Sequence, residues 1–291
     1  MNRRNLLKGA LFGASAAALQ PVLSLAPVNG GDAPARLAAL ERRHGGRLGV
    51  AVVDTGNGRR IAHRAEERFL MCSTCKLPIV AAVLARVDRG AEQLGRRVVF
   101  GKSALLSHAP VCERRVGAPG MTVAELCHAA ITVSDNTAAN LLLASLGGPA
   151  AVTAYARSLG DDTTRLDRDE PKLNLASPDG LLDTTTPRAM LADLQTLLLG
   201  QALSGASRRQ LIAWLCASTT GLHMLRAGIP PAWRVGDKTG RGPRLETNDI
   251  AIVWPPGRQP LLVTAYYAES RATDAECTAV LAEVGRIAAA I

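Results

Sequence analysis

The order of strand-like and helix-like segments is the feature that most limits the possible folds. Residues 47–65, "RLGVAVVD" and "RRIAHRA" around the turn "TGNG", predict a β-hairpin. From Leu77 the sequence is helical in character for well over a hundred residues, with a capping box at Thr122. Three strand-like segments then follow between residues 232 and 268, and Ala275 to Ile291 predicts a final amphipathic helix. One antiparallel sheet built from both ends of the chain, with helices inserted between them, satisfies this order.

The predicted fold class is therefore α+β, an α/β sandwich: an antiparallel five-stranded sheet flanked by helices, with an inserted all-α domain. We assign residues 27–66 and 216–291 to a discontinuous α/β domain, and residues 67–215 to the all-α domain. Hydrophobic residues make up 47% of the chain and can supply a sizeable core. The active site is expected in the cleft where the two domains meet, a common place for ligand sites.

Residues 1–26 predict an export signal rather than part of the fold. They have a basic start, an apolar middle and small residues near a plausible cleavage site. Arg3-Arg4 followed by "NLLK" resembles a twin-arginine signal. A membrane anchor is the alternative, but the apolar stretch is short and rich in Gly and Ser. We expect a periplasmic protein without stable membrane contact once the signal is removed.

Charge and residue spacing exclude several classes of partner. The formal net charge of +9 is spread along the chain and is not interleaved with aromatic residues, which make up 3%, so nucleic-acid binding is not predicted. The five histidines have no metal-ligand spacing, and neither a metal nor a cofactor is predicted. A monomer is expected. Disulfide pairing stays open for Cys72, Cys75, Cys112, Cys127, Cys216 and Cys277.

Two motifs overlap in "MCSTCKLP" at residues 71–78. Cys72 and Cys75 form a C-x-x-C, which is typical of thiol–disulfide oxidoreductases. Such enzymes need a preceding strand and a βαβ context, and neither is visible here. Ser73 and Lys76 form an S-x-x-K, which on a helix places the amine one turn from the hydroxyl. A serine needs such a base to become a nucleophile, but alone the motif is a weak signal.

Three further motifs strengthen the S-x-x-K interpretation. Residues 134–136 read S-D-N and lead into an Ala/Leu-rich helix, and residues 238–240 read K-T-G at the end of a predicted strand. Residues 165–174, "RLDRDEPKLN", supply a fourth element. In order, spacing and context the chain resembles the class A serine β-lactamases, over essentially the whole mature chain.

That resemblance implies hydrolysis of β-lactam antibiotics, and hence antibiotic resistance, through an acyl-enzyme. Ser73 would be the nucleophile and Lys76 its base. The backbone N–H groups of Ser73 and Arg241 would form the oxyanion hole, and Ser134 would pass a proton to the leaving nitrogen. The β-lactam would be held by Asn136, Asn174, Lys238, Thr239, Gly240, Arg241 and His108.

The resemblance also implies a deacylating loop over residues 165–183. Glu170 and Asn174 would hold and activate the water that hydrolyses the acyl-enzyme. An ion pair between Arg165 and Asp183 would close the neck of the loop. Glu170–Pro171 is a candidate cis peptide bond, since X–Pro bonds favour the trans form only weakly.

Several alternatives remain open at this stage. A D,D-peptidase shares the serine and lysine motifs but lacks the Glu170 loop, and a β-lactam sensor would need a membrane span. Thr247 stands where many relatives carry an arginine for the substrate carboxylate; "TNDIA" at 247–251 resembles extended-spectrum cephalosporinases. The possible substitutes for that arginine are Arg226, Arg241 and Arg244. His108 lines the cleft rim or is an exposed loop residue, and weak carbapenem turnover stays open.

Overall fold

Strands and helices follow the order expected from the sequence. A computed structural model describes residues 32–291, so the predicted signal at 1–26 lies outside the described residues. The strands are β1 (Arg47–Asp54), β2 (Arg60–His63), β3 (Phe69–Leu70), β4 (Arg97–Val98), β5 (Met121–Thr122), β6 (Thr184–Thr185), β7 (Arg234–Arg241), β8 (Thr247–Trp254) and β9 (Leu261–Ala268). The α-helices are α1 (Ala33–His44), α2 (Lys76–Asp88), α3 (Val123–Thr132), α4 (Asn136–Leu146), α5 (Pro149–Ser158), α6 (Pro187–Leu198), α7 (Gly205–Cys216), α8 (Leu225–Gly228) and α9 (Asp274–Ala289).

The main sheet has five antiparallel strands in the order β2-β1-β9-β8-β7. Strands from the start of the chain therefore pair with strands from its end: Val50 of β1 lies opposite Ala265 of β9. This arrangement confirms the predicted α+β fold. It also leaves β7, which carries the K-T-G motif, at an edge of the sheet, where one row of backbone N–H and C=O groups has no neighbouring strand.

Both faces of the centre of this sheet are buried, which explains why β1 and β9 are almost continuously apolar. Side chains along a strand alternate between faces. Val50 and Val52 of β1 pack with α1, α8 and α9, whereas Ala51 and Val53 pack with the helices of the middle of the chain. The hydrophobic core that contains Ala51 and Val53 continues from the sheet into α2, where it includes Val80. The domain boundaries after residues 66 and 215 therefore remain a prediction.

The helix signals read from the sequence fall at the observed ends. The Thr122 hydroxyl accepts the N–H of Glu125, and the Glu125 carboxylate accepts the N–H of Thr122, which is the predicted capping box. The helix expected from Thr186-Pro187 begins at Pro187. In the described part of the chain, no single helix is long and apolar enough to cross a membrane; the bent pair α4 and α5 passes by length and composition alone.

Candidate active site

A cleft between β7 and the helices collects most of the residues predicted for the site. Its cavity has a volume of about 370 Å³. The lining side chains belong to Ser73, His108, Ser134, Asn136, Glu170, Asn174, Thr220, Met224, Thr239 and Arg241. All but Thr220 and Met224 were predicted from the sequence. Lys76 and Lys238 are fully buried beneath the cleft, and exposed His108 stands at its rim with its ring Nε2 3.0 Å from the Val133 carbonyl oxygen.

The segment that carries Ser73 is a tight turn pressed against β7. Residues Cys72–Cys75 form a 3-10 helix that runs directly into α2, and Cys72 has a φ of +47°, an uncommon conformation for a residue with a side chain. Gly240 of β7 lies so close that a Cβ there would stand 2.8 Å from the Met71 carbonyl oxygen. Any larger residue at 240 would push β7 away from the serine, which accounts for the glycine of the K-T-G motif.

The Lys76 amine is the centre of a buried hydrogen-bond network. Its Nζ lies 2.7 Å from Ser73 Oγ, 2.9 Å from Glu170 Oε1 and 2.6 Å from Asn136 Oδ1. The Lys76 and Glu170 side chains have 0% exposure, so this ion pair is screened little by solvent. Ser73 Oγ is also 3.5 Å from Glu170 Oε1. The candidate nucleophile and both candidate bases are thus within direct reach of one another.

Ser134 connects this network to a second buried amine. Its hydroxyl oxygen lies 3.2 Å from Lys76 Nζ and 3.1 Å from Lys238 Nζ. Burial, and then the charge of Lys76, lowers the pKa of Lys238 to about 7. Asp135 fixes the loop, since its carboxylate accepts backbone N–H groups from Cys112 and Ala138. The Ser134 hydroxyl therefore has two amines as possible proton partners.

The Glu170 carboxylate is held from two sides. Asn174 Nδ2 donates to its Oε2 at 2.7 Å. Asn140 of α4 holds the backbone of the same residue: its Oδ1 accepts the Glu170 N–H at 3.0 Å and its Nδ2 donates to the Glu170 carbonyl at 2.9 Å. The sequence analysis missed Asn140, although it follows Asn136 by one helical turn and so shares its face. The Glu170–Pro171 bond is cis, as predicted.

The predicted ion pair between Arg165 and Asp183 at the neck of the loop is wrong, because Asp183 pairs with a different arginine. Asp183 pairs with Arg168, whose Nε is 2.5 Å from Asp183 Oδ2, and Asp183 Oδ1 accepts the backbone N–H groups of Asp167 and Arg168. Arg165 instead pairs with Asp167. The reason is a nearer acid: the Asp167 carboxylate, two residues on, accepts from the Arg165 guanidinium at 2.6 Å. The Arg165 N–H bonds to the Thr184 carbonyl, so Arg165 closes the neck through its main chain.

Comparison with known proteins agrees with this geometry. The model of the Beta-lactamase enzyme family matches residues 33–291. β-Lactamase CTX-M-25 of Escherichia coli is 48% identical over 256 residues, which is 88% of each chain. A β-lactamase of Streptomyces albus G is 47% identical over 264 residues, 89% of this chain and 84% of that one. The structure of an ancestral class A β-lactamase superposes with a TM-score of 0.86 at 62% identity, covering 88% of this chain and 98% of its own.

The chain belongs to the class A β-lactamases. It is therefore an enzyme of the hydrolase class, as the motifs predicted.

Only one of the three arginines considered for the substrate carboxylate faces the cleft of this β-lactamase. Arg226 forms an ion pair with the buried Asp237, and Arg244 pairs with Glu246. Arg241 lines the cavity. The position of its side chain favours Arg241 over the other two candidates.

The Arg241 guanidinium is held by the C-terminal helix. It forms an ion pair with Asp274, and its Nη2 donates to Thr278 Oγ1 at 2.7 Å. Its Nη1 also reaches Thr247 Oγ1 of β8 at 3.3 Å. Three side chains from two elements therefore orient a cation that remains 37% exposed beside the cleft.

The cysteines of this class A β-lactamase are all free in the structure, and all six lie in the described part of the chain. Cys72 and Cys75 are fully buried, and burial raises the pKa of both thiols above the usual value. No disulfide joins them, so the C-x-x-C has no redox bond in this structure. Within residues 32–291, no three His, Cys, Asp or Glu side chains are grouped to hold a metal ion.

Proposed function

We propose that this enzyme hydrolyses penicillins and cephalosporins through an acyl-enzyme on Ser73, which a water activated by Glu170 then hydrolyses. The observation that carries the proposal is the buried network in which Lys76 contacts both the Ser73 hydroxyl and the Glu170 carboxylate. A hydrolase of this kind confers resistance to the antibiotics it destroys.

Acylation needs a base for the Ser73 proton. Lys76 can act as that base once its amine is neutral, and the Glu170 carboxylate at 2.9 Å can take its proton. The neutral amine then accepts the Ser73 proton across 2.7 Å while Oγ attacks the carbonyl carbon of the lactam. All three groups are already in contact, so this transfer requires no large movement.

Opening of the ring requires a proton for the leaving nitrogen and donors for the oxyanion. Ser134 gives its hydroxyl proton to the nitrogen and is reprotonated from Lys76, 3.2 Å away. The backbone N–H groups of Ser73 and of Arg241, on the edge strand β7, form the oxyanion hole. Such donors contribute several kcal/mol, about 3 each, because they are already oriented when charge develops.

Deacylation depends on Glu170 and Asn174. The carboxylate and the amide converge on the same side of the cleft as Ser73, and both line the cavity. After ring opening Glu170 returns its proton to Lys76 across 2.9 Å, and the carboxylate is again free to act as a base. A water held between Glu170 and Asn174 then loses its proton to Glu170 as it attacks the acyl carbonyl, and Ser73 Oγ leaves with a proton from Lys76. Since a D,D-peptidase lacks this loop, the pair favours turnover over permanent acylation.

Recognition of the substrate uses the polar groups around the nucleophile. The Thr239 and Ser134 hydroxyls and the Arg241 guanidinium bind the substrate carboxylate. Asn136, whose Oδ1 is occupied by Lys76, presents its Nδ2 to the acylamide carbonyl. Thr220 holds the Thr239 hydroxyl at 2.6 Å and so orients it. The segment "TNDIA" of β8 extends the proposed range to extended-spectrum cephalosporins.

Turnover of a chromogenic cephalosporin by the purified protein tests this function. We expect many turnovers per enzyme, a transient acyl adduct on Ser73 by mass spectrometry, and no measurable release of D-alanine from an acyl-D-Ala-D-Ala peptide. A stable adduct after a single turnover, together with peptidase activity, would instead support the D,D-peptidase alternative.

Replacement of Arg241 by alanine is expected to raise KM for penicillins and cephalosporins about tenfold and to lower kcat less, because a charge-assisted hydrogen bond to the carboxylate is worth about 1.5–3 kcal/mol. Steady-state kinetics measure both constants. Arg244→Ala is the matched control, since it removes an arginine of the same hairpin that does not line the cleft. An unaltered KM in Arg241→Ala would refute the role.

The enzyme is proposed to be a periplasmic monomer. Export through the twin-arginine signal of residues 1–26 would deliver it already folded, and the six free cysteines suit folding in a reducing cytoplasm. Without disulfides, no covalent cross-link stabilises the described part of the chain.

A further inference from the structure

Two buried carboxyl groups meet at the base of the catalytic loop, away from the cleft. Asp193 lies on α6 and is 1% exposed; Asp161, between α5 and the loop, is 7% exposed. Both residues line one cavity, and their carboxyl groups are close enough to form a hydrogen bond when one of them carries a proton. In the described part of the chain, the Oδ2 atom of each has no donor from another side chain or from the backbone. Two adjacent carboxylates cannot both stay ionised in such a place at low cost, so a proton between them is required.

We propose that Asp161 and Asp193 share one proton in the folded enzyme, and that this proton makes Asp193 a positioning residue for the loop that carries Glu170.

The contacts of Asp161 connect the pair to the loop. Its Oδ1 accepts the backbone N–H groups of Thr163 at 2.7 Å and Thr164 at 2.9 Å. The Thr164 hydroxyl is 2.6 Å from that of Thr185, and the next residue, Arg165, closes the neck through its backbone. Loss of the shared proton would leave two repelling charges under these bonds, and movement of Asp161 would release the loop base.

The surroundings of the pair keep the proton bound. Burial, and then the charge of Asp161, raises the pKa of Asp193 to about 9. Arg157 opposes this shift through its charge, but its Nη1 donates to the backbone carbonyls of Asp161 and Thr164. The titratable or charged groups around the pair are Arg157 and Tyr155 from α5, Tyr266 from β9, and Glu66, Asp162 and Arg188 at the surface.

The first test detects the shared proton through the pH dependence of the unfolding equilibrium. The carboxyl of Asp193 has a raised pKa in the folded state, so folding takes up a proton and stability falls as pH rises from about 4 to about 9. Asp193→Asn keeps a hydrogen-bond donor for Asp161 but cannot ionise. From about pH 5 to pH 8, the unfolding equilibrium constant of the wild type should rise about tenfold per pH unit relative to that of Asp193→Asn.

Asp162→Asn is the matched control, because Asp162 is an exposed acid of the same turn. Its unfolding constant should keep a fixed ratio to that of the wild type across the same range. If Asp193→Asn does not fold, Asp161→Asn removes the same shared proton and takes its place. A pH-independent ratio between the wild type and the Asn variant would overturn the shared proton. So would stabilisation by millimolar Ca²⁺ that the Asn variant loses, since the pair would then bind a cation.

The second test measures the loop, and it rests on the proposed function. The decay constant of the Ser73 acyl-enzyme should fall in the wild type above pH 9, and the ratio of the Asp193→Asn constant to it should rise about tenfold from pH 8 to pH 10. An unchanging ratio would overturn the positioning role while leaving the shared proton in place. Absence of any acyl adduct on Ser73 would overturn the proposed function, and with it the positioning role. The folding measurement tests only the shared proton, so its result would stand in either case.

Discussion

Glu170→Gln is expected to accumulate as an acyl adduct on Ser73, with the turnover of a chromogenic cephalosporin reduced about a thousandfold, the usual contribution of a general base. Gln keeps the size and the hydrogen bond to Asn174 but cannot take a proton from water. Acylation should slow as well, because Lys76 loses the carboxylate that takes its proton, but it should slow less than deacylation, because Lys76 still contacts the Ser73 hydroxyl at 2.7 Å. The adduct should therefore persist.

Stopped-flow absorbance and intact-protein mass spectrometry measure the two steps separately. Asp169→Asn is the matched control, because Asp169 precedes Glu170 in the same loop and is exposed. The control should deacylate like the wild type. Wild-type turnover in Glu170→Gln, without a persistent adduct, would remove Glu170 from its proposed role as base.

Asp183→Asn is expected to slow deacylation about tenfold to a hundredfold and to lower the free energy of unfolding by about 2 kcal/mol, the cost of weakening charge-assisted hydrogen bonds to a buried carboxylate. Asp183 is fully buried, with a φ of +58°, a left-handed conformation that Asn also adopts readily. The substitution therefore tests the charge rather than the backbone. With weaker bonds to Arg168 and its N–H, the loop should hold Glu170 less accurately.

Two arginine variants show which partner carries the effect. Arg168→Gln removes the observed partner and should resemble Asp183→Asn. Arg165→Gln removes only a half-exposed pair with Asp167 and should cost less than about 1 kcal/mol. Denaturant unfolding and acyl-enzyme decay provide the comparison. If Arg165→Gln is the more damaging variant, the pair predicted from the sequence is the functional one.

Local chemistry was readable from the sequence because it depends on short spacings. Ser73 and Lys76 are three residues apart, so the start of a helix is enough to bring the hydroxyl and amine together. The capping box at Thr122 is equally local. The antiparallel sheet built from both ends of the chain followed from the order of strand-like and helix-like segments, because one sheet with inserted helices is the simplest way to bury them.

Side-chain partners across the fold were less predictable. Asp183 has Arg165 and Arg168 within 18 residues, and only the folded structure shows that Arg168 turns its guanidinium toward this carboxylate while Arg165 turns toward Asp167. Asn140 belongs to no sequence motif, and a single Asn on a helix carries no local signal that distinguishes it from other polar helix residues. Its role depends on how α4 packs against the loop.

The sequence alone therefore determined the fold class, the family and the candidate set of chemically active residues, because each depends on residue type within one element or on the order of elements. The tertiary structure decided the contacts between elements: Arg241 faces the cleft, Arg168 holds Asp183, and the carboxyl group of Asp193 lies beside that of Asp161. These contacts depend on the direction of a few side chains after distant segments have packed. A rotation of one residue along a helix changes the partner without changing the pattern of apolar residues that defines the fold.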